Sequence, residues 1–205
     1  MAQTSTVYDE TYNKYLDDIS TINFKLIEKK LGIKCEGAEA FIPLIGKTYK
    51  VSGNGIFDLF GKQPTLEICI VIFKYLLLCP EVEPDENEWA AFRDFRDSGP
   101  LTTYFLNDVE RPIASFFSGK IEKLKNACKA LKGFQPDIKL SYEIALSFTL
   151  LPKIPVLMLF NDSDEVFPAK CSILFEKSAE KYLDAESLAI LGSLFTKNLK
   201  NHGTK

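Results

Sequence analysis

The chain has 205 residues, 46% of them hydrophobic and 26% charged, with a net charge of −3. That composition fits one globular domain with enough apolar material to bury a core without staples. The slightly acidic balance argues against nucleic acid as the main partner, and no apolar run approaches the roughly 20 residues needed to span a bilayer.

The start, MAQTSTVYDETYNKYLDD, has neither a basic opening nor an apolar run, so no signal peptide is expected and the protein is expected in the cytoplasm. Residues 9–31 predict a helix, with Tyr12, Tyr15, Leu16, Ile19, Ile27 and Leu31 amid charge and Gly32 as its stop. Residues 33–60 change character. Short β-like pieces at 33–35, 40–44 and 48–51, punctuated by Gly46 and Gly53-Asn54-Gly55, predict a small meander. Pro64 opens a helix over 65–78 that is apolar almost all round, interrupted only by Glu67 and Lys74, and so belongs in the core. Residues 81–88 carry five acids and read as a solvated connection.

Residues 89–95 read as a short strand or extended entry. Asp97-Ser98-Gly99-Pro100 then predicts a helix start, with Asp97 or Ser98 as the cap. Helix continues to about Lys132, with a break near Arg111-Pro112. Strands are expected at 142–150, 154–160 and 170–175, with an acidic turn at 161–165 between the last two. Asp184 caps a final helix striped by Leu188, Leu191, Leu194, Phe195 and Leu199, and residues 201–205 read as a tail. The expected fold is a single α+β domain over 1–205. A mainly antiparallel sheet, drawn from 33–60 and 142–175, is packed by the buried core helix and the C-terminal amphipathic helix.

Much chemistry is missing. The only histidine, His202, stands near the C-terminus, which argues against a histidine-based triad or a histidine-ligated metal. Five cysteines at wide spacing form no CxxC, so neither a zinc site nor an iron–sulfur cluster is expected. Gly46-Lys47-Thr48 mimics the end of a phosphate-binding loop, but Phe41 stands where that loop needs glycine, and strand rather than helix follows.

One constellation stands out. The chain has three arginines, Arg93, Arg96 and Arg111, all in one stretch, against twenty-two scattered lysines. A guanidinium grips carboxylate or phosphate through a planar fork. Between these arginines lies the predicted helix start, where Ser98, Gly99 and Thr102 would present backbone N–H groups to an anion. Local ion pairs with Asp94 and Asp97 are the competing explanation. A second constellation, Asp162, Asp164 and Glu165, is acidic enough for acid–base work or a hard cation. It lacks the glycine and distal glutamate of a calcium loop, and the simplest explanation is a hairpin turn whose Asx side chains bond their own backbone.

Two regions, WAAFRDFRDSGPLTTYFLNDVER at 89–111 and the text from 151 to 192, resemble a known family. The second contains LPxxPxLxLF at 151–160, DxDExFPA at 162–169 and SAxxYLxxESLAxLG at 178–192. The family is domain of unknown function 3786, found largely in anaerobic bacteria and archaea. The resemblance implies an association with corrinoid iron–sulfur methyl-transfer proteins, because some relatives carry an added four-cysteine segment. This chain has no clustered cysteines. Any such link would run through a partner or a binding pocket.

Three readings of function follow. The first is a non-enzymatic binding or accessory module for an anionic small molecule, cofactor or partner protein. The second is an enzyme using the acidic turn beside the arginines. The third is a structural subunit without a ligand.

Overall fold

A computed structural model describes the backbone of residues 2–204 and the side chains of residues 9–204. In place of one helix over 9–31 there are two, α1 (Ala2–Ser20) and α2 (Phe24–Leu31). Asn23 divides them. Its side-chain oxygen accepts from the N–H of Lys25 at 3.1 Å and so caps a second helix. Gly32 ends α2 in the left-handed region, φ 63°, as a C-terminal glycine commonly does.

The expected meander is present as β1 (Lys34–Glu36), β2 (Glu39–Leu44), β3 (Lys47–Ser52) and β4 (Gly55–Asp58), each antiparallel to the next. Alternation turns Ala40, Ile42, Leu44, Tyr49, Val51 and Ile56 into the core. Ile45-Gly46 forms the two-residue β2–β3 turn, with positive φ at both residues (47° and 75°), as a tight hairpin requires. A β-branched residue is rare in that conformation. Ile45 is held there by burial of its side chain and by its N–H, which donates to the Leu150 carbonyl at 2.8 Å. Gly46-Lys47-Thr48 is therefore hairpin.

The helix α3 (Leu66–Leu77) buries Cys69, Val71, Ile72, Phe73, Tyr75 and Leu76. Beyond it, β5 (Trp89–Ala91), β6 (Ile144–Leu151), β7 (Ile154–Asn161) and β8 (Lys170–Glu176) form a second antiparallel sheet in the order β5-β8-β7-β6. The expected single sheet is thus two sheets of four strands, because β1–β4 pair among themselves through short turns while β6–β8 take β5, from far earlier in the chain, as their fourth strand. They meet where Ile45 bonds Leu150 and where β2 touches β6.

Between β5 and β6 run α4 (Thr102–Phe105), α5 (Arg111–Phe117) and α6 (Ile121–Ala130). The last helix, α7 (Ala185–Gly203), is capped by Asp184, whose carboxylate accepts from the Ser187 N–H at 2.9 Å. It runs through residues expected to be a tail, so His202 lies in its last turn, where a basic group is favoured. Packed between α1 and α7, α3 occupies the centre.

The five cysteines are free thiols. Burial pushes Cys69 and Cys128 up to about 12 and Cys171 well above its ordinary value, so these three are poor nucleophiles. No helix among the described residues is long and apolar enough to cross a membrane.

Candidate functional site

The segment from 99 to 117 is one unbroken run of helical turns. A 3₁₀ turn (Gly99–Leu101) leads into α4, a π-helical turn (Leu106–Glu110) follows, and α5 completes it. The expected break at Arg111-Pro112 does not occur. Pro112 has no N–H to bond the carbonyl four residues back, so the chain widens instead of breaking. The N–H of Arg111 reaches back five residues to the Leu106 carbonyl. The widened turn rotates Arg111 back toward the face of Leu106, and Leu106, Glu110 and Arg111 all line one cleft.

The helix start differs from expectation. Asp97 is left-handed, φ 58°, and Ser98 is helical, so neither caps. Ser98 is buried, and its hydroxyl donates backward to the carbonyls of Arg93 at 3.0 Å and Phe95 at 2.8 Å. It closes the turn that follows β5 and is turned away from solvent. Gly99 is exposed, and the Thr102 hydroxyl donates to the Ser98 carbonyl at 3.1 Å.

The helix lies along an open stretch of sheet edge. Having three residues, β5 covers only Leu174–Glu176 of β8. Where it ends, the half-buried carboxylate of Glu110 takes its place and accepts from the Ile173 N–H at 3.0 Å. Burial raises the Glu110 carboxyl above its ordinary value, against the opposing effects of that hydrogen bond and of the positive fields of Lys170 and Arg93.

The acidic turn faces this helix. One oxygen of Asp162 accepts from the N–H groups of Gly119 at 2.7 Å and Ser163 at 2.8 Å. One oxygen of Asp164 accepts from Val166 at 2.8 Å and Phe167 at 2.7 Å, which holds its carboxyl below the ordinary value. The Glu143 carboxylate accepts from the Asp162 N–H. Asp162 and Asp164 are thus anchored to backbone, and Glu165 is exposed and outside the cleft.

Between the turn and the helix lies a cleft of about 680 Å³, in the range of small-molecule sites. Its apolar lining includes Leu106, Ala114, Phe167, Pro168 and Cys171. Its charged lining is Arg111 and Lys170 against Glu110, Glu143, Asp162 and Asp164. The structure therefore brings Arg111 and two acids of the turn together. It does not bring the three arginines together. Arg93 and Thr102 line a smaller adjoining cleft that shares Leu106, Glu110 and Lys170. Arg96 lines a separate depression with Glu180 and Asp184. Arg93 and Arg96 each sit beside the next aspartate, at 3.7 and 3.4 Å, as the local ion-pair explanation requires. Arg111 donates to the neutral Asn107 amide oxygen at 2.7 Å and has no carboxylate partner among the described residues.

Sequence reasoning missed Glu110 and Lys170 as site residues. Glu110 immediately precedes Arg111-Pro112, and the proline that widens the turn was the available signal. Lys170 carries none, because only the β7–β8 register places it at the cleft. Among the described residues no group of three or more His, Cys, Asp or Glu side chains is arranged to hold a metal ion.

A neutral variant tests the burial of Glu110. Glu110→Gln keeps an acceptor oxygen for Ile173. A carboxyl raised by folding holds its proton more tightly in the native state. Its stabilisation is complete below the unfolded value of about 4.3 and is lost as pH rises through the folded value. Glu110→Gln is therefore expected to gain stability over the parent as pH rises above about 4 toward neutrality, levelling off above the folded value, with the two converging at the acid end. Urea midpoints across that range check this, and a pH-independent difference would contradict the raised carboxyl.

The fold is an α+β domain with a charged cleft at an incompletely paired sheet edge. The chain belongs to the family described as Domain of unknown function (DUF3786), whose model matches residues 23–198 and so spans the helix, the turn and both sheets. No curated protein and no solved structure matches it.

Proposed function

We propose that the chain is a small-molecule binding module, and that the cleft between the π-helical turn and the acidic turn takes a ligand with an anionic group and an apolar body. The observation that carries this reading is that Arg111 and Lys170 line one cleft while neither is ion-paired to a carboxylate among the described residues. The guanidinium supplies a fork for carboxylate or phosphate, and Lys170 adds a second charge. Leu106, Ala114 and Phe167 supply the apolar contact. Within the arginine stretch the weight falls on Arg111, with Arg93 and Thr102 extending the site into the adjoining cleft. Arg96 and Ser98 have no part in it.

The test is calorimetric titration with hydrocinnamate, caproate and phenyl phosphate. At least one is expected to bind, and Arg111→Met is expected to weaken it about tenfold, roughly 1.4 kcal/mol, with Tm unchanged. Arg96→Ala is expected to bind like the parent. Failure of all three probes and of their amino-bearing analogues, or equal binding by Arg111→Met, overturns the reading.

A second reading, an enzyme, is favoured by one observation: Glu110 is a raised carboxyl lining the same cleft. It places the acid–base group on the helix, since Asp164 is shifted the other way and Glu165 lies outside. Turnover of a bound ligand that is abolished in Glu110→Gln would establish it.

A further inference from the structure

Resting on that reading, we infer that the ligand is a small zwitterion, with its acid group at Arg111 and Lys170 and an amino group at the acidic turn. The argument is electrostatic. Six charged side chains line the cleft, two cations and four acids. Elsewhere on the described surface some lysines pair with nearby acids, as at Lys74–Asp184 and Lys50–Glu39, both 2.9 Å. Within the cleft none of these groups forms an ion pair with another. The cations stand on the helix and on β8, and Asp162 and Asp164 stand on the facing turn, with the space between them open.

The turn acids also have capacity to spare. Asp162 and Asp164 each commit one oxygen to backbone N–H groups, and no hydrogen bond among the described residues engages the other. Those bonds fix the carboxylates in place, so a cation meeting the free oxygens requires little reordering. A ligand with only an acid group would face four carboxyls and two cations, an unfavourable balance at close range. A ligand carrying both charges satisfies both walls.

The experiment compares matched series on the unmodified protein by calorimetry. One is phenylalanine, hydrocinnamate and phenethylamine. The other is aminocaproate, caproate and hexylamine. In at least one series the zwitterion is expected to bind about tenfold more tightly than either partner. Asp162→Asn with Asp164→Asn keeps the anchoring oxygens and removes the charges. It is expected to abolish that preference and to leave binding of the simple acid unchanged or improved. If the simple acids bind as tightly as the zwitterions, the inference falls and the anion reading stands. If neither acids nor zwitterions bind, both fall. Because the matched series needs no variant, a misfolded double substitution would not remove the test.

Discussion

Tyr75→Ala is expected to destabilise the protein by about 4 kcal/mol, and Tyr75→Phe by about 2 kcal/mol. Tyr75 is fully buried on α3. Its hydroxyl donates to the Leu31 carbonyl at 2.7 Å and accepts from the Lys153 N–H at 3.1 Å. Leu31 is the last residue of α2, whose terminal carbonyls have no partner within the helix. Lys153 lies in the β6–β7 turn. One side chain thus joins the end of α2 to the second sheet through the core helix. Removing only the hydroxyl strands a buried carbonyl and a partly buried N–H. Removing the ring also opens a cavity beside Tyr182, whose ring centroid lies 6.0 Å away. Urea denaturation separates the two effects. At this chain length the Ala variant should lose about 8–16 °C in Tm. Equal losses in both variants would mean that ring packing contributes nothing, and no loss in Phe would mean the two hydrogen bonds contribute nothing.

Gly192→Val is expected to cost about 3 kcal/mol and to weaken ligand binding as well. At Gly192, α7 passes so close to the cleft helix that a Cβ would lie 2.7 Å from Phe105 Cε2 and 3.1 Å from Val109 Cγ2. Phe105 has little room to yield. It stacks on Phe92 at 4.3 Å with rings nearly parallel, and its other side meets Phe175 at 6.0 Å. Val109 is fully buried in the π-helical turn, next to Glu110. A branched side chain at 192 therefore displaces the segment that carries Glu110 and Arg111. Gly192→Ala is expected to cost about 1 kcal/mol, because the gain in helix propensity offsets part of the clash. Chemical denaturation together with ligand titration on the folded protein checks both. A Val variant that keeps parental affinity would show that this contact does not position the cleft.

What could be read from the chain depended on how local the cause was. The core helix followed from a run apolar on every side, the meander from its glycines, and the α7 cap from Asp184 ahead of an apolar stripe. Each of these is decided within a few residues. The division of α1 from α2 was also local, resting on Asn23, but the apolar spacing of 9–31 reads through it. The separation into two sheets was out of reach, because the pairing of β5 with β8 joins segments more than eighty residues apart. The site was half legible. Arg111 and the acidic turn were singled out for different reasons, and nothing in either segment says that they share a cleft. Ser98 misled for a physical reason. A serine before Gly-Pro has the composition of a cap, yet here its hydroxyl closes the preceding turn.

The π-helical turn bears on how members of this family should be compared. It is equivalent to one extra residue in an otherwise regular helix, and Pro112 is what favours it. A relative lacking that residue would keep the helix, but residues after the turn would be rotated by about 100° relative to those before it, so an arginine there would leave the face of Leu106. Matched letters would then conceal an unmatched site. Alignments across 102–117 should admit a single-residue gap just before the proline, and relatives sort by whether they need it. Those with the gap are expected to keep the scaffold while turning the arginine out of register with Leu106.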